Sequence, residues 1–341
     1  MYKLKYPKIT IITPSYNQGQ YIEATIQSIL GQNYPYLEYL IFDGGSNDNT
    51  VPILKKYDEQ ITYWESKKDK GQTHAINKGF EKASGEIITW INSDDVLMPN
   101  VLFEIAKVFN ETIAEVGVIH GASIPFNDKK EYEPDYGFIP CTKERCLAGM
   151  AFPQPASFIR KKYWDSLHPI AENLHFGMDY ELFSKLSLVC EFKHIDLVIS
   201  KNRLHVNSKT LSNQMGFYFD WHQVFCQRLK DLNLKELSKL LEDKLPNKLN
   251  EDVFTQPNTI SNIKINSKEL VFYHYCYLYK YAYWSADFKR AKKIKKFIGN
   301  QYSKERIQSE KEIGSINKRL LFPVIFIRLY RKLKRILRFY N

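Results

Sequence analysis

Short runs of β-branched and aliphatic residues alternate with stretches of helical spacing through the first half of the chain. Lys8–Thr13 is one such run, closed by Pro14-Ser15-Tyr16-Asn17, and Leu37–Phe42, Ile61–Trp64 and Ile87–Ile91 are three more. Apolar runs of this length bounded by turn residues predict buried strands. Between them, Tyr21, Ile22, Ile26, Ile29 and Leu30 recur at helical spacing, and helices are predicted over 51–57 and from Asp69 to Ala83. Strands alternating with helices imply βαβ units with right-handed crossovers, so the fold class is α/β with a mainly parallel sheet. A helix is predicted over 101–109, strands over 116–120 and 191–200, and an irregular segment rich in Pro, Asp and Lys over 121–140. Pro153 and Pro155 exclude a helix over 152–160. Beyond residue 213 the composition shifts to aromatic-rich helices, predicted over 215–232 and 269–286, with 250–266 a polar linker. The expected organisation is an α/β domain over 1–212, a helical extension over 213–315 and a tail over 316–341.

Charge singles out that tail. The chain of 341 residues carries a net charge of +11. After Glu312 there is no acid, while Lys318, Arg319, Arg328, Arg331, Lys332, Lys334, Arg335 and Arg338 supply eight positive charges, leaving +3 for the rest. Following Pro323, Phe326, Leu329, Tyr330, Leu333, Ile336, Leu337 and Tyr340 fall on one helical face and the basic residues on another. Such a helix suits the interface of an anionic membrane, where each Lys or Arg contributes about 1 kcal/mol. A helix packed on its own domain or on a partner is the competing reading. The N-terminus has no apolar signal region, and no run approaches the roughly 20 apolar residues of a membrane span. Five cysteines without paired spacing point to a reducing compartment. The expected location is therefore cytoplasmic, attached peripherally to the inner face of the cell membrane through residues 320–341. Basic residues gathered in a tail, not spread over a face, argue against a nucleic-acid partner.

The candidate chemistry lies where strands end. Asn92-Ser93-Asp94-Asp95 puts two carboxylates at the carboxyl end of the 87–91 strand, the edge where open α/β sheets bind ligands. Carboxylates there suit a hard divalent cation that keeps positions open for phosphates; a plain turn is the alternative. Asp43-Gly44-Gly45 ends a second strand, and Asp69 follows a third, so three acidic segments converge on one edge. Helix capping competes with ligand binding at Asp48 and Asp69. Lys67, Lys68 and Lys70 read as a solvated surface cluster more than as phosphate contacts. Asp179 stands before the apolar stripe Leu182, Phe183 and Leu186, where spacing alone favours a capping role. His205, in Arg203-Leu204-His205-Val206-Asn207-Ser208, is a packed histidine or a ligand.

Thr13-Pro14-Ser15-Tyr16-Asn17, Asp43-Gly44-Gly45-Ser46-x-Asp48-x-Thr50, Asp69-x-Gly71-x5-Asn77-x-Gly79 and Asn92-Ser93-Asp94-Asp95 together resemble the family 2 glycosyltransferases over about residues 7–212. The resemblance implies the GT-A fold, a nucleotide-sugar-binding α/β domain, here with a C-terminal helical extension. It implies that Asp43 meets the base, with Pro14 and Tyr16 lining its pocket. It places Asp69 and Ser93 in the donor site and gives Asn92 the ribose contact usually made by an Asp. Asp94 would hold Mn²⁺ or Mg²⁺ on the diphosphate, with His205 joining it. Gly177-x-Asp179-Tyr180-Glu181-Leu182 is similar to the segment that carries the family's catalytic base, so Asp179 is the expected base, with Glu181 second. Phe152–Arg160 resembles the acceptor side, and 121–140 an insertion over the site. A Gln-x-x-Arg-Trp motif, linked in the family to processive synthesis, is absent. The expected activity is inverting, metal-dependent transfer of a single hexosyl or N-acetylhexosaminyl unit from a nucleotide-diphosphate sugar, a UDP-sugar by preference. The acceptor would be a saccharide or a polyprenyl-linked saccharide of bacterial surface-polysaccharide assembly, such as capsule or lipopolysaccharide. Two alternatives stand beside it. A sugar nucleotidyltransferase would carry a Gly-rich, basic phosphate loop after the first strand, where this chain has Thr13–Gly19. A non-catalytic basic protein binding membrane or nucleic acid is suggested by charge alone.

Overall fold

The computed structural model describes residues 6–329 apart from 168, 206–207, 210–212, 244, 250–253 and 255–262. Two compact units divide the chain: residues 1–146 with 150–211, and residues 147–149 with 212–341.

The first unit is built on one sheet of eight strands: β1 (Ile9–Ser15), β2 (Leu37–Asp43), β3 (Tyr63–Ser66), β4 (Ile87–Trp90), β5 (Val96–Leu97), β6 (Val116–Phe126), β7 (Ser157–Arg160) and β8 (Glu191–Arg203). Their lateral order is β3-β2-β1-β4-β7-β6-β8-β5. Strands β3, β2, β1 and β4 are mutually parallel. They are joined through α1 (Ile22–Leu30), α2 (Thr50–Lys56) and α3 (Gln72–Lys82), which are the expected βαβ units. The other half is mixed: β7 runs antiparallel to β4 and β6, β5 antiparallel to β8, and β6 parallel to β8. Helices α4 (Val101–Glu111), α5 (Lys143–Ala148), α6 (Lys161–Asp165) and α7 (Met178–Val189) complete the series.

Successive strand residues point to opposite faces, and both faces are covered. Ile9, Ile11, Ile41 and Ile87 pack with Ile22, Ile26 and Ile29 of α1 and Leu102, Ile105 and Phe109 of α4. Ile12, Leu40, Ile88 and Trp90 pack with Ile76 and Phe80 of α3 and Leu182, Phe183 and Leu186 of α7. Double coverage is why these strands read as continuous apolar runs. Helix α3 approaches β1 so closely that a Cβ on Gly79 would lie 2.5 Å from Ile12 Cγ2. This contact fixes the height of α3 on the sheet, with its N-terminus at the strands' carboxyl edge.

Strands β6 and β8 extend past the predicted 116–120 and 191–200, because the two pair as far as Phe126 and Arg203 through several register shifts. The irregular insertion is correspondingly shorter and is held by bridges Ser123–Asp135 and Phe126–Glu131.

The second unit carries α8 (Gln214–Asp231), α9 (Lys235–Asp243), α10 (Ser267–Trp284), α11 (Phe288–Gln301), α12 (Lys304–Gln308) and α13 (Lys311–Arg319). Four of these begin at side-chain caps: Asn213, Asn266, Asp287 and Ser303 each accept from the amide three residues on. Rings join α8 to α10, with Phe217 stacked on Tyr281 at 5.5 Å and Trp221 edge-on to Tyr277 at 5.0 Å. Residues 324–329 are helical. The predicted tail helix from 330 onward, and most of the 250–266 linker, lie outside the described residues.

Candidate active site

The carboxyl ends of β1, β2 and β4 meet the first turn of α3, and the candidate residues are arranged around that turn. After Trp90 the chain bends through Asn92-Ser93-Asp94-Asp95, and its two carboxylates part company. Asp95 is buried; its Oδ1 accepts from the Arg203 amide (3.0 Å) and its Oδ2 from Asn92 Nδ2 (3.1 Å). Its carbonyl accepts from Thr25 Oγ1 at 2.7 Å. Burial first, and the neighbouring Asp94 charge second, push the Asp95 carboxyl well above its ordinary range. Asp95 is therefore an anchor that ties the turn to α1 and to the end of β8.

Asp94 faces the other way, with Oδ2 2.9 Å from His205 Nε2. The His205 ring packs on Tyr21 at 4.9 Å, and its Nδ1 is buried without a hydrogen-bond partner. Arg203 steadies the pair: Nε donates to the Asp94 carbonyl (3.2 Å), while the guanidinium lies over the rings of Tyr21 and Phe126. A carboxylate oxygen and an imidazole nitrogen 2.9 Å apart fit a divalent ion. Neighbouring donors of an octahedral ion with ligands at about 2.1 Å stand about 3 Å from each other, and both donor types suit Mn²⁺. Among the described residues no group of three His, Cys, Asp or Glu side chains could hold a metal, so such an ion would complete its shell with water or substrate oxygens, as Mg²⁺ does.

Asp43 is buried and organises the next turn. Its Oδ1 accepts from Ser46 Oγ (2.5 Å), and its Oδ2 from the Ser46 amide (2.8 Å), Ser66 Oγ (2.6 Å) and the Gly45 amide (3.2 Å). Gly45 has φ +84°, a conformation that suits glycine. Asp69 lies over this turn, since a Cβ on Gly44 would meet its Oδ1 at 3.1 Å. That same oxygen accepts from the Gly71 amide at 2.8 Å. Asp48 takes the capping role: it accepts from the Thr50 amide and hydroxyl and from the Gly19 amide. Pro14 is buried in the β1 position paired with Phe42, and Tyr16 beside it is 60% exposed. Lys67 and Lys70 are exposed and pair with Glu65 and Glu172, in keeping with a solvated cluster.

The first turns of α3 join these pieces to the second hotspot. Gln72 Nε2 donates to Asn92 Oδ1 at 2.7 Å. Thr73 Oγ1 donates to the Leu174 carbonyl and to Met178 Sδ, and His74 meets Glu172 at 2.8 Å. Asn77 makes paired bonds to Ile170, donating from Nδ2 (2.8 Å) and accepting at Oδ1 (3.1 Å). One helix end thus touches the Asn92–Asp95 turn and the residue next to Asp179. Asp179 heads α7, with Oδ1 accepting from the Tyr180 amide at 2.8 Å. Burial raises its carboxyl to about 6, opposed in part by that amide and by the Lys209 ammonium. Glu181, the second candidate, is buried in an ion pair with Lys185. Ser93 is buried within the turn.

Three contributors escape a reading of the sequence: Gln72, the packing role of Arg203, and Gln154. The last is buried between Pro153 and Pro155 and donates to the Trp90 carbonyl at 2.9 Å. Only Gln72 carries a local signal, its place directly after the helix-opening Gly71.

The family profile described as Glycosyl transferase family 2 matches residues 10–184. The chain belongs to that family. An uncharacterized glycosyltransferase of Rickettsia felis is 27% identical over 250 residues, covering 68% of this chain but only 39% of that relative's length. Chondroitin synthase of Pasteurella multocida is 26% identical over 254 residues, 70% of this chain and 25% of the synthase. Among solved structures, residues 1–349 of S. aureus TarS in complex with UDP-GlcNAc superpose with a TM-score of 0.55 at 18% identity, covering 85% of this chain and 89% of that one. The Pyrobaculum calidifontis mannosyltransferase PcManGT, solved with GDP-Man and Mn²⁺, gives 0.50 at 17% identity, covering 84% and 76%. The family 2 glycosyltransferase fold is accordingly GT-A, followed by C-terminal helices.

Proposed function

We propose that this glycosyltransferase moves one hexosyl or N-acetylhexosaminyl unit from a UDP-sugar to a saccharide or polyprenyl-linked acceptor, with inversion and with dependence on Mn²⁺ or Mg²⁺. The observation that carries this reading is the α3 first turn, which ties the Asp94–His205 pair to the segment bearing Asp179. Pro14 and Tyr16 would flank the base, and Asp43 Oδ1, which accepts from Ser46 Oγ, would offer a further lone pair to a base N–H. The Asn92 amide would meet a ribose hydroxyl, with Ser93 shaping the turn and Asp69 beside the donor. Gly71 begins α3 without a side-chain cap, which leaves first-turn N–H groups and the helix dipole for the diphosphate. Asp94 and His205 would hold the ion, which supplies Lewis-acid stabilisation of the departing diphosphate when bound.

Asp179 then serves as the base. As the acceptor oxygen bonds to the anomeric carbon, the bond from that carbon to the diphosphate breaks and the hydroxyl proton passes to the Asp179 carboxylate. A carboxyl raised to about 6 is better matched to a proton accepted near neutral pH than an ordinary one. The ligands of TarS and PcManGT support a nucleotide-sugar donor and a metal. TuaG of Bacillus subtilis, a glycosyltransferase named for teichuronic acid biosynthesis and 40% identical over 92 residues (26% of this chain), supports a role in bacterial surface-polysaccharide assembly. No described helix is long and apolar enough to cross a membrane. Attachment to the inner face of the cell membrane would rest on 320–341, of which Leu321, Phe322, Ile325, Phe326 and Leu329 are exposed.

Calorimetric titration of UDP and GDP with Mn²⁺ and with EDTA tests the donor site. UDP should bind in a metal-dependent manner and more tightly than GDP. Absence of binding by either nucleotide, or binding indifferent to metal, would overturn the assignment.

A further inference from the structure

Helix α11 reads FKRAKKIKKFIGNQ, with six basic residues and no acid. Phe288, Ala291, Ile294, Phe297 and Ile298 are buried. Lys289, Lys292, Lys293 and Lys296 are exposed and recur at i, i+3, i+4 and i+7, which puts them on one stripe. Arg290 is tied to Asp287, but among the described residues no ion pair engages any of the four stripe lysines. Like charges four residues apart repel, so this stripe is costly until it meets anions.

A second feature adjoins it. Between Leu321 and Leu329 five large apolar side chains are exposed, from 51% at Leu329 to 77% at Leu321, while Leu320 and Ile327 tuck inward. Clustered exposure of this kind marks an interaction site. The Arg328 guanidinium lies 6.0 Å from the Phe288 ring centroid, so the 324–329 helix meets α11 at its first residue.

We propose that the α11 lysine stripe and the exposed residues of 321–329 form one docking surface for an anionic lipid bilayer, which rests on the membrane attachment proposed above and adds α11 to it. The apolar side chains enter the boundary between headgroups and acyl chains, and the lysines meet lipid phosphates. A soluble polyanion would use the lysines and leave the apolar residues in water. A second copy of the chain would cover the apolar residues but bring two lysine stripes of like sign together. A bilayer satisfies both halves.

Flotation of the full chain with phosphatidylcholine vesicles, with and without phosphatidylglycerol, tests this. The wild type should float with the anionic vesicles, and added salt should weaken the binding. K292A/K293A/K296A should lose on the order of 100-fold in partitioning, at about 1 kcal/mol per lysine. I325S/F326S should lose vesicle binding yet stay retained on heparin. UDP affinity should be unchanged in both variants, which separates failure of this surface from failure of the donor site. Equal binding to neutral vesicles, or none to any vesicle, overturns the proposal. So does heparin retention without vesicle binding, which would indicate a polyanion. A dimer dissolved by I325S/F326S, again without vesicle binding, would indicate a second copy.

Discussion

Burial lifts the Asp179 carboxyl from an ordinary 3.8 to about 6, and both activity and stability should report it. The proposed base would work only when ionised, so kcat/KM should rise through about pH 6 and level off above it, read from a pH–rate profile. In the unfolded chain the group ionises near 3.8, so between that value and 6 the native state holds a proton that the unfolded state has released. Stability therefore falls as pH rises through this window, and the loss persists at neutral pH. Asp179→Asn removes the desolvated charge, and should melt at or above the wild type at pH 7.5 in thermal unfolding. The same variant should lose about 10²–10⁴-fold in transfer with UDP affinity intact; a falling melting point would mark Asp179 as structural. For Asp94 and His205, each substitution (Asp94→Asn, His205→Ala) should weaken Mn²⁺-dependent UDP binding by at least the roughly 10–100-fold typical of an outer-shell partner. Titration with and without EDTA measures it. These residues were legible because carboxylates and imidazole stood at element ends in a familiar pattern. Asp95 was not: two adjacent aspartates look alike until the turn sends one inward to the Arg203 amide and Asn92. Nor was Gln72 on Asn92, or Arg203 on Asp94, since these partners lie 20 and 109 residues apart and only the fold joins them.

Helix α3 is the element on which the site depends, because it touches both halves of the proposed chemistry. Asn77 is 4% exposed and satisfies both backbone groups of Ile170. Asn77→Ala should cost about 1–3 kcal/mol in chemical denaturation, since it orphans a buried N–H and C=O. It should also lower kcat more than UDP affinity, because the 170–178 segment positions Asp179. Gly79→Ala acts differently: its methyl would strike Ile12 in β1, and overpacking at a rigid strand should cost about 1–3 kcal/mol. Asn77 and Gly79 were both visible in sequence as motif positions, but their physical duties were not. The parallel half of the sheet was readable because strands covered on two faces leave continuous apolar runs. β7, at four residues after a proline-bounded turn, and β5, at two, are too short to leave a period. The far reach of β6 and β8 was hidden because irregular pairing carries both strands through polar stretches.

At the scale of the whole chain, the boundary near residue 212 is not a simple cut. Leu147–Gly149 belongs with the C-terminal unit although α5 begins in the first. Leu147 and Ala148 are fully buried, and the Ala148 carbonyl accepts from His274 Nδ1 at 3.0 Å. Gly149 lies so close to α8 and α10 that a Cβ would stand 2.5 Å from the Tyr277 ring and 2.7 Å from Trp221. A chain ending at residue 211 keeps every proposed catalytic residue but removes the aromatic seat of these three. Leu147 and Ala148 would then face water, at about 1.5–3 kcal/mol for the leucine and about 0.8 kcal/mol for the alanine methyl, while the freed Ala148 carbonyl would bond to water. That cost is a large share of the 5–15 kcal/mol typical of a folded domain. The truncated chain should therefore unfold at lower denaturant and self-associate in size-exclusion chromatography. Leu147→Ser/Ala148→Ser in that background should recover a monomer if the exposed apolar seat is the cause. A truncated chain that stays monomeric with wild-type UDP affinity would show instead that the helical unit is dispensable for the fold, leaving its exposed lysine stripe and apolar tip as its reason to be there.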